Sequence, residues 1–140
     1  MPAASHTLTL RNDLAEIPRL ADFVDELCAG LSATQKDVLA LQLSLEEVVT
    51  NVINHGYTDG QLHPFTVAFS ASPTRITVVV VDDAPAYDPL ARPDVDTSLP
   101  LEERPIGGLG VHLVKKLMTA ARYERRAGHN VLTLERALGQ

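Results

Sequence analysis

Six consecutive residues, Ile76-Thr-Val-Val-Val-Val81, are almost entirely apolar and β-branched. Branching at Cβ crowds a helix and suits a pleated strand. A strand without polar alternation must be buried on both faces, or lie in a sheet that helices cover. The rest of the chain supplies the cover. Ile17, Leu20, Ala21, Val24, Leu27 and Cys28 recur at helical spacing, so a helix is expected over about 14–30, with Asn12 or Asp13 as its cap and Gly30 as its stop. Ser32 or Thr34 starts a second helix that runs to about His55, and the cluster Gly56-Tyr-Thr-Asp-Gly60 turns the chain.

Around these helices lie paired strands. His6–Leu10 alternates threonine and leucine. Phe65–Ser70 and Arg75–Asp82 flank Ser72-Pro73-Thr74 and read as a hairpin. Tyr123–Arg126 and Asn130–Glu135 form a closing hairpin around Gly128, after a helix expected over about 111–119. Between them, residues 84–106 carry five prolines (Pro85, Pro89, Pro93, Pro100 and Pro105) and read as a long lid rather than a regular element. The order β-α-α-β-β-lid-α-β-β implies an α+β, two-layer sandwich, with helices on one face of a mostly antiparallel mixed sheet. A length of 140 residues suits one domain, 1–140, around one core.

Composition narrows the function. The formal net charge of −6 lacks the cationic field that nucleic-acid binding requires, so no nucleic-acid partner is expected. The single cysteine, Cys28, cannot form an internal disulfide and falls on an apolar helix face, where a packed thiol is expected. Met1–Arg11 has no apolar signal region and the longest apolar run is too short to cross a bilayer, so a cytoplasmic location without membrane attachment is the expectation.

Three features carry chemistry. On the second helix, Ser44, Glu47, Asn51 and His55 form a polar stripe beside the apolar face of Val38, Leu41, Leu45, Val48 and Val52. Glu47 and Asn51 lie one turn apart, about 6 Å, so their oxygens can converge on one metal–water–phosphate cluster. An amide oxygen is a hard, neutral ligand suited to Mg²⁺, and a neighbouring carboxylate can accept a proton from a nucleophile. Asp82, at the end of the apolar strand, can accept a hydrogen bond from the exocyclic amine of adenine; equally, it can simply open the turn Asp83-Ala-Pro85. Gly107-Gly-Leu-Gly110 precedes a helix, where bare backbone and a helix N-terminus favour phosphate, or where a lid needs a hinge. It is neither a P-loop nor a complete dinucleotide fingerprint.

Taken together, Glu47-x3-Asn51-x3-His55-Gly-Tyr57, Asp82-Asp-Ala-Pro-Ala-Tyr-Asp88-Pro89 and Pro105-Ile-Gly-Gly-Leu-Gly110-Val-His-Leu-Val114 resemble the GHKL ATPase superfamily, and within it the anti-sigma-factor serine/threonine kinases. The resemblance spans nearly the whole chain. It implies the Bergerat fold, ATP and Mg²⁺ as cofactors, Glu47 as general base, Asn51 as metal ligand and Asp82 as adenine reader. It also implies ATP contacts from Ala84, Gly107, Gly108, Leu109, Gly110 and Val111, and from Thr133 as a strand threonine beside the adenine-site water. The implied partner is a STAS-type anti-anti-sigma protein, with a sigma factor competing for an overlapping surface. Kinase members commonly dimerise, so a homodimer is a further expectation. The sequence departs from the family at Ala84, Ala86 and Tyr87, where two glycines and a phenylalanine are usual. The alternatives are a nucleotide-gated binding module without chemistry, the catalytic domain of a histidine kinase, and a structural domain without ligand.

Overall fold

The computed structural model describes residues 4–91 and 108–139. Five strands and three helices follow in the order β1 (Ala4–Arg11), α1 (Ile17–Ala29), α2 (Gln35–Asn51), β2 (Pro64–Ala71), β3 (Arg75–Asp82), α3 (Gly108–Leu117), β4 (Ala120–Arg126) and β5 (His129–Ala137). The sheet order is β1-β2-β3-β5-β4, and each of these pairings is antiparallel. β3 lies at the centre, as its composition requires. The α+β arrangement expected from the sequence is present.

Side-chain parity separates the two faces of the sheet. Leu10, Phe65, Val67, Phe69, Ile76, Val78, Val80, Leu132 and Leu134 are buried and join Leu20, Val24, Leu41, Leu45, Val49 and Val114 from the helices in one core. Phe23 of α1 meets Phe69 of β2 edge-to-face, with centroids 5.3 Å apart. Cys28 is a buried free thiol in this core, and burial pushes its pKa up, away from reactivity.

Local signals fix the helix ends. Asp13 caps a short 3-10 turn over Leu14–Glu16, and α1 proper starts only at Ile17, with Pro18 in its first turn. Thr34 caps α2 through a reciprocal box: its hydroxyl accepts from the Asp37 amide at 3.1 Å, and its own amide donates to Asp37 Oδ2 at 2.9 Å. α2 ends at Asn51, earlier than expected, by widening into a π-turn over Val52–Gly56. Such turns recur beside functional sites. α3 starts at Gly108 rather than near Val111, so most of the glycine run is its first turn and not a loop before it. Of the expected lid, residues 84–91 are described and end in a 3-10 turn, Pro89–Ala91; residues 92–106 lie outside the described part.

Candidate functional site

Where the end of β3 meets α2 and α3, a slot opens. It is lined by Val48, Val52, Val80, Val111, Val114 and Leu132 as apolar walls, by Asn51 and Gly56 at the end of α2, and by Asp82 and Asn130 at its polar end. Asp82 is the only acid among the described residues of the lining. Tyr87, Pro89 and Leu90 also line the slot.

Asp82 is 7% exposed and its orientation is fixed. Oδ1 accepts from the Ala84 amide at 3.0 Å and from Asn130 Nδ2 at 2.8 Å. No donor among the described residues meets Oδ2, so one acceptor stays available at the slot. Asp82 thus opens the turn through Oδ1 and also lines the slot.

Asn130 is the residue that motif reading left without a role. It pairs with Asp82 across the β3–β5 ladder. Its Nδ2 also reaches the carbonyls of Ala84 at 3.3 Å and Pro85 at 3.1 Å. Its Oδ1 accepts from the Tyr87 amide at 3.2 Å and from the Tyr123 hydroxyl at 2.5 Å. One amide side chain thereby pins the strand-end acid and the start of the lid segment. Thr133, the expected strand threonine, lies elsewhere. It sits one residue out of phase with buried Asn130, Leu132 and Leu134, on the face opposite the core and the slot. The period of two along β5 carried this signal already: Leu132 and Leu134 mark the inward parity, which Thr133 does not share.

The polar stripe on α2 runs from core to solvent. Ser44 is buried, and its hydroxyl has no partner among the described residues. Glu47 and Asn51 are half-buried and His55 is exposed. Asn51 Nδ2 lies 3.4 Å from Glu47 Oε1, which leaves the amide oxygen for another ligand. Asn51 lines the slot. Among the described residues, no group of three His, Cys, Asp or Glu side chains could hold a metal by itself. One amide oxygen beside one carboxylate instead fits a Mg²⁺ ion that takes its remaining ligands from phosphates and water.

Ala84 is buried, but its methyl group does not line the slot. It packs against the π-turn: a Cβ placed on Gly56 would stand 3.3 Å from the Ala84 Cβ and 3.7 Å from Val52 Cγ1. Among the described non-glycine residues only Ala127 has positive φ, so Ala84 and Ala86 adopt conformations that alanine tolerates without strain. The absence of a side chain at Gly56 leaves room for the Ala84 methyl group. Gly56→Ala is therefore expected to destabilise the fold by about 1 kcal/mol through crowding. Ala84→Gly in the same chain should recover most of that loss. Urea midpoints of the two single variants and the double variant give the coupling, and additive effects would contradict the packing argument.

Beside the slot, the Tyr57 hydroxyl donates to Asp83 Oδ1 at 2.7 Å, and the ring stacks on His63 with centroids 4.4 Å apart. Burial first, and then the Asp83 carboxylate, raise the Tyr57 pKa above its ordinary value. The Tyr57 hydroxyl in turn lowers that of Asp83. The contact ties the segment after α2 to the end of β3. On the glycine side, Gly108, Leu109 and Gly110 form the first turn of α3, and Val111 and Val114 carry that helix along the slot. Gly107 lies outside the described residues.

An antiparallel sheet backed by helices, with its binding slot held between a strand-end acid and a helix that starts in glycines, is the architecture of GHKL-type ATPase domains. The sequence matches the histidine kinase-like ATPase domain family over residues 10–136, and the chain belongs to that family. It is similar to the serine/threonine-protein kinase BtrW of Bordetella bronchiseptica, at 32% identity over 96 residues, covering 67% of this chain and 66% of BtrW. It is also similar to the serine-protein kinase RsbW of Halalkalibacterium halodurans, at 25% identity over 126 residues, covering 87% of this chain and 75% of that protein. In fold it resembles the crystal structure of the RsbU and RsbW domains of Rv1364c from Mycobacterium tuberculosis, with a TM-score of 0.70 at 18% identity, over 96% of this chain and 32% of that one. Both of these curated relatives are named as serine or serine/threonine protein kinases. Among the described residues, no helix is long and apolar enough to cross a membrane.

Proposed function

We propose that this chain binds Mg-ATP in the slot and transfers the γ-phosphoryl group to a serine or threonine hydroxyl of a small STAS-type anti-anti-sigma protein, with a sigma factor competing for an overlapping surface. The observation that carries the nucleotide reading is Asp82: a single buried carboxylate at one end of an apolar slot, with one oxygen fixed by Asn130 and the Ala84 amide and the other left open. Valine and leucine walls suit the faces of a purine. An open acceptor suits the exocyclic amine of adenine, which guanine lacks at that position.

In this reading each residue has a defined task. Val48, Val52, Val80 and Leu132 exclude water from the base. The start of α3 directs backbone N–H groups and its positive dipole end at the phosphates. Asn51 is the residue that would hold Mg²⁺, and the ion would supply positive charge to offset that of the phosphates. Glu47 accepts the proton of the attacking hydroxyl and is held toward the reacting end of the site by Asn51.

Titration calorimetry with Mg-ATP and Mg-GTP tests the base recognition. Wild type should prefer ATP. Asp82→Asn keeps an oxygen for Asn130 and Ala84 but turns a donor toward the adenine amine. ATP affinity should then fall about tenfold to 100-fold, as expected for losing a hydrogen bond to a charged acceptor. Equal affinity for both nucleotides in wild type would contradict the assignment.

A further inference from the structure

The outer face of the helical layer carries an apolar groove that the nucleotide site does not use. It runs between α1 and α2 in two compartments. The larger, about 370 Å³, sets Leu31, Val38 and Leu39 beside the polar Asp25, Gln35 and Gln42. The smaller, about 200 Å³, is lined by Ile17, Leu20, Ala21, Val24, Leu39 and Leu43, with Glu46 at its edge. Gln42 separates them, crossing from α2 to α1 to donate to Asp25 Oδ1 at 2.8 Å and to the Ala21 carbonyl at 3.4 Å. Its Nε2 thus ties the two helices together across the groove.

Two leucines stand open along this groove. Leu39 is 56% exposed and Leu43 is 39% exposed, one turn apart on α2. Leu39 borders both compartments. An exposed leucine alone needs no explanation, but two in register beside a groove form a continuous apolar stripe. The rim is acidic. Asp25 and Glu46 lie on opposite walls, and among the described residues no lysine or arginine lines either compartment.

We propose that this groove docks a basic amphipathic helix from a partner protein. The compartments are offset by about four residues of α2, or about 6 Å, so they accept apolar side chains at positions i and i+4 of a helix laid along the groove. Lysines or arginines flanking those anchors meet Asp25 on one wall and Glu46 on the other. An acidic partner would meet like charge on both walls. The surface lies on the side of α2 turned away from Asn51 and the slot, so this contact does not depend on nucleotide and stands apart from the ATP reading.

The test uses a labelled synthetic peptide of about four helical turns, with leucines at i and i+4 and lysines at the flanking positions, and a twin in which every lysine is glutamate. Fluorescence anisotropy without nucleotide gives affinity, and amide chemical shifts give location. The basic peptide should bind, weaken as salt rises, and shift the amides of Leu39, Gln42 and Leu43. The acidic twin should bind at least about tenfold more weakly. Leu39→Ser with Leu43→Ser should reduce affinity for the basic peptide by at least about tenfold, and Glu46→Lys should flatten its salt dependence. Both sites are solvent-facing, so circular dichroism should show an unchanged fold. Failure of the basic peptide to bind, equal binding of the two peptides, or shifts confined to other surfaces would overturn the proposal. So would a concentration-dependent dimer that the leucine substitutions abolish, because the occupant would then be a second copy of the chain.

Discussion

Glu47→Gln is expected to leave Mg-ATP binding within about twofold and to lower phosphoryl transfer to a STAS-type partner by about 10²- to 10⁴-fold, the usual contribution of a positioned general base. Glutamine keeps the shape of the side chain and can still accept from Asn51 Nδ2 through its amide oxygen. Only proton acceptance is lost. Asn51→Ala should behave differently: it removes the proposed metal ligand, so nucleotide affinity and transfer should fall together. Calorimetry paired with radiolabel transfer separates the two outcomes. If Glu47→Gln transfers as fast as wild type, the base lies elsewhere. If neither protein transfers while both bind ATP, the nucleotide acts as a gate and not as a substrate.

The largest effect on stability should come from a pair far from the slot. Asp37 is fully buried and Arg136 is 5% exposed, and Arg136 Nε reaches Asp37 Oδ1 at 3.0 Å. Asp37 Oδ2 accepts from the amides of Thr34 and Gly139, and Arg136 Nη1 donates to the carbonyl of Leu117, the last residue of α3. The start of α2, the end of α3 and the C-terminal end of β5 are thus fastened at one point. Removing one partner of such a buried pair strands the other charge, so Arg136→Met should destabilise the protein by about 3–5 kcal/mol. Adding Asp37→Asn should recover part of that loss, since asparagine can still accept from Thr34 and Gly139 without a stranded charge. Urea unfolding of the three variants measures the coupling, and purely additive losses would contradict the network.

The same pair sets a pH dependence. Burial by itself would raise the Asp37 pKa, but the Thr34 and Gly139 amides, the Thr34 hydroxyl and Arg136 outweigh it, and the net shift is downward. A carboxylate with a lowered folded-state pKa contributes stability above its unfolded value, near 4, and loses that contribution as pH falls through the folded value. Wild type should therefore lose stability below about pH 4 more steeply than Asp37→Asn does.

These two predictions rest on different kinds of knowledge. Glu47 and Asn51 were legible because a helix fixes the relation of residues four apart wherever it packs. The strand Arg75–Asp82 declares itself through β-branched composition, and α2 through a cap at Ser32 or Thr34, of which the structure uses Thr34. The family resemblance added the slot, because three separated motifs kept their order. The details that failed were local ones. The glycine run was read as a loop, and the structure absorbs most of it into α3. Thr133 was read as a site residue, although the alternation along β5 assigns it to the other face.

What sequence alone determined is therefore whatever short-range geometry dictates: helical and strand periodicity, caps, the central apolar strand and the spacing of Glu47 from Asn51. Only the tertiary structure decided which distant residues meet. Asn130 reaches Asp82 because β5 pairs antiparallel with β3 in one particular register. Arg136 meets Asp37 at a separation of 99 residues, and Gly56 makes room for the methyl of Ala84. The physical reason is that backbone periodicity repeats within a few residues, whereas a buried hydrogen bond or close contact depends on how whole elements are brought together around the core.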